Sequence, residues 1–101
     1  MDIKVTTGGS VATIQMDGRF DFSAHRSFKE AYDPPLQQQG ITALEVNLAG
    51  VAYMDSSPLG MLLLLRERAQ AVGKEIVLRQ PNPTVTQILD IANFGKLFTI
   101  R

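Results

Sequence analysis

A mixed α/β (α+β) fold is what this sequence predicts, on three observations. Alternating apolar residues on either side of a glycine turn read as a β-hairpin, strand-like and helix-like segments then follow one another to the end, and one helix closing at Gly73 joins two strands as a parallel crossover would. The 101 residues, 45% apolar and 20% charged, suit one folded domain over residues 1–101 that is large enough to bury a core.

The elements follow in order. Ile3 and Val5 alternate with polar neighbours, Gly8-Gly9-Ser10 makes a turn, and Val11, Ile14 and Met16 resume an extended pattern that Gly18 is expected to break. Asp21 or Ser23 can cap a helix carrying Phe28, Ala31 and Tyr32 on one face, and Pro34-Pro35 is expected to stop it. Ala43, Leu44, Val46, Leu48 and Val51 form an apolar run with Asn47 inside it, the pattern of a central strand. Pro58 opens a helix from about Leu59 to Val72, Gly73 caps it, and Glu75 to Leu78 follow as a strand. After Pro81-Asn82-Pro83, Thr84 can cap a helix bearing Val85, Ile88, Leu89 and Ala92, and Leu97 to Ile100 suit a last short strand. Each crossover helix must cover apolar sheet surface, so the helices are expected on one or both faces.

Charge and composition exclude several functions. Ten Lys and Arg balance ten Asp and Glu, which removes any overall pull toward nucleic acid or anionic lipid. The absence of cysteine excludes disulfides, thiolate metal sites and thiol nucleophiles, and makes a reducing cytoplasmic compartment the natural expectation. The start MDIKVTT has no basic segment leading into an apolar run, and the longest apolar stretch, Leu59 to Leu65, is too short for a membrane span, so neither export nor direct membrane insertion is expected.

In α/β sheets functional groups gather beyond the carboxyl end of a strand, and here that turn is Met54-Asp55-Ser56-Ser57-Pro58. Pro58 suits the first helical position, which makes Ser57 the better N-cap, worth about 1 kcal/mol. Ser56 is then a candidate phosphoacceptor near the positive end of the helix dipole, although Pro58 offers no amide donor. Read locally, Asp55, Ser56 and Ser57 could equally be competing caps of an ordinary helix start. Leu59, Met61, Leu62, Leu63, Leu64 and Leu65 exceed what a single buried stripe needs. With Leu59, Leu62, Leu63 and Ala69 as the core stripe, Met61, Leu64 and Leu65 are left as a partner surface next to Ser56, unless the helix is buried more deeply than usual. Arg66, Glu67 and Arg68 read as a solvated face.

Catalysis finds little support. His25 is the one histidine, no spacing marks a metal site, and a hydrolase built on Ser56 and His25 lacks the Gly-x-Ser-x-Gly elbow. Gly8-Gly9 is followed by no lysine-serine or lysine-threonine pair, so it is no phosphate loop. No catalytic residue, metal or cofactor is expected.

Tyr53-Met54-Asp55-Ser56-Ser57-Pro58-Leu59-Gly60 resembles the signature of the STAS domain of anti-sigma factor antagonists. Gly18-Arg19-Phe20-Asp21, Val46-Asn47-Leu48 and Asn93-Phe94-Gly95-Lys96-Leu97-Phe98 resemble further motifs of that family, so the likeness covers nearly the whole chain in order. It implies a STAS-type mixed sheet with an N-terminal hairpin and packed helices. It also implies a partner-switching cycle in which this chain is substrate and not enzyme. A serine kinase with a histidine-kinase-like ATP site would phosphorylate Ser56, and a metal-dependent serine phosphatase would restore it. The unmodified form would bind the kinase or an anti-sigma factor, and phosphorylation would release it. Ser57 corresponds to the family's second hydroxyl position, and Asp21 and Asp55 to acidic positions beside the phosphosite. The sequence departs from the family at Pro58, where glycine or alanine is usual, and its end at Arg101 implies that a last helix of longer members is short or missing. The other functional class is a constitutive STAS scaffold subunit of a signalling complex or membrane transporter.

Overall fold

The computed structural model describes residues 1–101. Gly9, at φ +60°, makes the tight turn that joins strand β1 (Asp2–Gly8) antiparallel to β2 (Val11–Phe20), with Gly8 opposite Val11. β2 does not break at Gly18. Glycine tolerates the φ of +106° found there, and the pairing with the next strand shifts between Gly18 and Arg19, so the apparent break is a bulge inside a continuous strand.

Asp21 starts a short 3-10 turn, Phe22–Ala24, that leads into helix α1 (His25–Gln37). This helix runs through Pro34 and Pro35 instead of stopping before them. Both stand in its last turn, where the proline ring already holds a helical φ, and Pro35 and Leu36 are buried. Lys74 holds the end in place, its Nζ donating to the carbonyls of Pro35 and Gln38 at 2.8 Å each, where the helix dipole favours a cation.

Strand β3 (Ala43–Met54) is central, as the apolar run indicates. It pairs parallel with β2 on one side and with β4 (Glu75–Arg79) on the other, and β5 (Thr99–Ile100) completes a sheet of order β1-β2-β3-β4-β5. Helix α2 (Ser57–Ala71) links β3 to β4, with Gly73 at φ +71° in the turn after it. Helix α3 (Pro83–Ile91) is capped by Asn82 and not by Thr84. The Asn82 Oδ1 accepts from the Val85 amide at 2.8 Å while its Nδ2 donates to the Val51 carbonyl at 2.8 Å, which ties the helix to β3.

The parallel crossovers all advance in one direction across the sheet, and the general rule that such crossovers are right-handed puts their helices on one side. The burial pattern agrees: Ala12, Ile14, Leu44, Val46, Ile76 and Leu78 are buried in register, whereas Thr13, Gln15, Glu45 and Asn47 on the opposite face are not. Phe20, Phe28 and Tyr32 meet edge to face under α1, with ring centroids 5.3 and 5.2 Å apart.

Helix α2 corrects the sequence reading. Its buried stripe is Pro58, Met61, Leu62, Leu65 and Ala69, which is helical spacing counted from the proline, whereas Leu63 faces outward and Leu64 is half-buried. Met61 and Leu65 therefore belong to the core and cannot form a partner surface.

Gly50 is held by close contact. A β-carbon there would stand 2.8 Å from the Met16 carbonyl oxygen and would overlap the Asp17 carboxylate. Asp17 can swing away and the backbone cannot, so Gly50→Ala should destabilise the protein by about 1–3 kcal/mol in urea unfolding.

Candidate functional site at the ends of two parallel strands

The site begins with a register. β2 and β3 run parallel and their last partners are Phe20 and Met54, so Asp21 and Asp55 leave the sheet side by side although 34 positions separate them in sequence. Each aspartate then folds the chain back in the same way. Asp21 Oδ1 accepts from the Ser23 amide at 3.0 Å and also from the Ser23 hydroxyl, and Asp55 Oδ1 accepts from the Ser57 amide at 2.9 Å. The expected Ser57 cap is not formed, and the one side-chain bond to the helix start is this one, from the Ser57 amide to Asp55. Ser57 is the first helical residue, and Ser56 takes the cap position with no side-chain bond.

Both serines are exposed, and the Ser56 hydroxyl is engaged by no neighbouring group. Around it, the start of α2 has few donors to offer. The Ser57 amide is taken by Asp55, Pro58 has none, and the Leu59 amide bonds the Ser56 carbonyl at 3.2 Å. Pro58 itself is buried and fixes the phase of the helix.

Charge at the site is dominated by carboxylates. The Ser23 hydroxyl lowers the pKa of Asp21 below the usual 3.8; desolvation opposes this, and the Ser23 amide and the nearby Arg19 guanidinium add to the lowering. Arg19 Nε lies 3.6 Å from Asp21 Oδ2, and its guanidinium covers the Tyr53 ring at 4.1 Å from the centroid.

An apolar groove of 290 Å³ opens beside Ser56, between Met54, Asp55, Ser56 and Leu59 on one wall and Ile88, Ile91 and Ala92 on the other. Ile91 is 77% exposed at its rim. Past Asp21, Phe22 is 73% exposed and stacks on His25, with centroids 6.2 Å apart. Met61 and Leu65 are not part of this surface. The sequence reading missed Ile91, yet a signal was present: Val85, Ile88, Leu89 and Ala92 already fill one helical stripe, which leaves Ile91 off it. No three His, Cys, Asp or Glu side chains come together as a metal site, and no helix is long and apolar enough to cross a membrane.

A one-sided α/β domain with an exposed serine between two paired strand ends is the class that fold and site define. Residues 3–99 match the family described as Mlab, STAS domain. A STAS-domain containing protein of Pseudomonas aeruginosa (strain UCBPP-PA14) is 46% identical over 94 residues, covering 91% of this chain and 89% of its own. An anti-sigma F factor antagonist of Lysinibacillus sphaericus is 27% identical over 82 residues, covering 81% of this chain and 70% of its own. Among solved structures, the anti-sigma factor antagonist SpoIIAA in its unphosphorylated form superposes with TM-score 0.83 at 21% identity, over 99% of this chain and 88% of that one. The phosphorylated form of the Bacillus cell fate determinant SpoIIAA superposes with TM-score 0.75 at 20% identity, over 99% and 91%. The chain belongs to the STAS-domain family, to which the anti-sigma factor antagonists also belong.

The two caps can be separated by mutation. Asp55→Ala should lower stability by about 1 kcal/mol through loss of the Ser57 amide bond, whereas Ser57→Ala should stay within about 0.5 kcal/mol of the parent in thermal unfolding. Asp21 makes a pH prediction. Its carboxyl is more acidic folded than unfolded, so its contribution to stability is fully present above the ordinary value of 3.8 and fades as pH falls through the lowered one. Carboxyl NMR titration should show Asp21 as more acidic than 3.8, and Ser23→Ala should raise it.

Proposed function

We propose that this protein is a partner-switching regulator whose residues 1–101 act as a single STAS domain and whose switch is phosphorylation of Ser56. The observation that carries this reading is the Ser56 hydroxyl: it is exposed, free of intramolecular bonds and set at the rim of an apolar groove. A kinase can reach such a hydroxyl without unfolding the helix, because Asp55 and not Ser56 satisfies the helix start.

In its unmodified form the protein binds an anti-sigma factor or a serine kinase with a histidine-kinase-like ATP site through the groove formed by Leu59, Ile88 and Ile91. Phosphorylation adds roughly 1.5 to 2 negative charges beside Asp55 and Asp21. Docking an apolar partner surface would then have to strip water from that charge, which opposes binding. A metal-dependent serine phosphatase resets the cycle, and the protein itself performs no catalysis. The names of its relatives and neighbours support this reading, since one is an anti-sigma F factor antagonist and another has a phosphorylated form.

The first test is direct. In extract from the native cells, phosphate-affinity electrophoresis should show a retarded band for the parent protein and none for Ser56→Ala. Absence of the band under every growth condition would leave the constitutive scaffold subunit as the reading. The groove has its own test: Ile91→Asp should weaken capture of the anti-sigma factor or kinase at least tenfold while leaving the melting temperature within a few degrees, because Ile91 is 77% exposed. Unchanged capture would exclude the groove from the interface.

A further inference from the structure

Arg19 is the one lysine or arginine in the two segments that form the site, residues 18–24 and 51–60. Its present partners hold it lightly. The side chain is 66% exposed, and its contact with Asp21 at 3.6 Å is longer than a hydrogen bond. Asp21 also keeps both Ser23 bonds without it. Its Cζ lies over the Tyr53 ring, 4.1 Å from the centroid, a cation–π contact that uses no hydrogen bond and leaves the guanidinium N–H groups free to donate.

The register sets what this cation can reach. Arg19 pairs with Tyr53, and Ser56 follows three residues later, a path of roughly 10 Å at most in extended chain. The guanidinium already extends forward to Asp21, which stands level with Asp55. The helix start that would ordinarily receive a phosphate is largely closed, with the Ser57 amide on Asp55, no amide at Pro58, and the Leu59 amide on the Ser56 carbonyl.

We infer that Arg19 reads the phosphate: when Ser56 is phosphorylated, its guanidinium leaves Asp21 and the Tyr53 ring and pairs with the phosphate. The inference rests on the proposed phosphorylation of Ser56 and adds its acceptor. Arginine presents parallel N–H donors that match phosphate oxygens, and the exchange replaces one long carboxylate contact by a contact with a group approaching two negative charges. It also uncovers Tyr53, so the modification changes the surface on both sides of the site.

The test needs no kinase. Phosphoserine is incorporated at position 56 during synthesis, and its second pKa, near 6 in an unstructured chain, is followed by phosphorus NMR in the parent, Arg19→Gln and Arg19→Lys proteins. Asp21 and Asp55 raise it alike in all three. The parent value should lie about half a unit below that of Arg19→Gln, with Arg19→Lys close to the parent and the gap narrowing as salt is raised. The Arg19 Nε–H resonance should move with the same midpoint. Equal values in the parent and Arg19→Gln, or an Nε–H resonance that stays still, would overturn the inference. This result is independent of the extract experiment: a Ser56 never phosphorylated in cells removes the switch, whereas a pKa indifferent to Arg19 removes only the reader.

Discussion

The parallel pairing of β2 with β3, carried from Val11–Ala43 to Phe20–Met54, is the constraint on which everything else at the site depends. It brings two strand ends to the same level and releases an aspartate from each. Without that register, Asp21 and Asp55 would be ordinary turn residues in separate parts of the molecule. With it, two Asx-type turns, one cation and the exposed, unbonded hydroxyls of Ser56 and Ser57 share a corner of the sheet. The bulges near Gly18 and Gly50 are part of the same constraint, since the pairing slips between Gln15 and Asp17 and again between Gly18 and Arg19 before the final pair is made.

The sheet beneath this corner is well anchored. One face is covered by helices, with Leu44, Val46 and Leu48 fully buried in the central strand, and the α1 end is locked by Lys74. The helix start that follows Ser56 is unusual in having so few open amides. On the proposed reading, a phosphate on Ser56 would meet carboxylates, Arg19 and an apolar groove, a combination that would favour a switch acting by charge at an interface over one acting by reorganisation of the fold.

Much of this fold was legible in the sequence, and the failures have physical causes. The hairpin, the central strand and the Gly73 turn carried strong local signals, because glycine geometry and long apolar runs leave few alternatives. Gly18 and Pro34-Pro35 misled because breakers act differently at a bulge or in a last helical turn, where neighbours absorb them. Met61 to Leu65 are consecutive apolar residues, so periodicity could not set the phase of α2; the burial of Pro58 sets it. Ser56 stood out through its place in the turn and the resemblance around it. The cap position, however, went to Ser56 and not Ser57, and the side-chain bond to the helix start comes from Asp55, whose carboxylate reaches the amide two residues on. The groove depended on how α3 lies beside the start of α2, which no local pattern encodes, and Arg19 gained its place only through a pairing with Tyr53 across 34 positions.

The central claim is that charge on Ser56 governs docking at the adjacent groove. Calorimetric titration of the captured anti-sigma factor or kinase with unmodified protein and with protein carrying phosphoserine at position 56 tests it most directly. The modified protein should bind at least tenfold more weakly, a difference of about 1.4 kcal/mol, with an unchanged melting temperature showing that the fold is intact. Equal affinities for the two forms would contradict the claim.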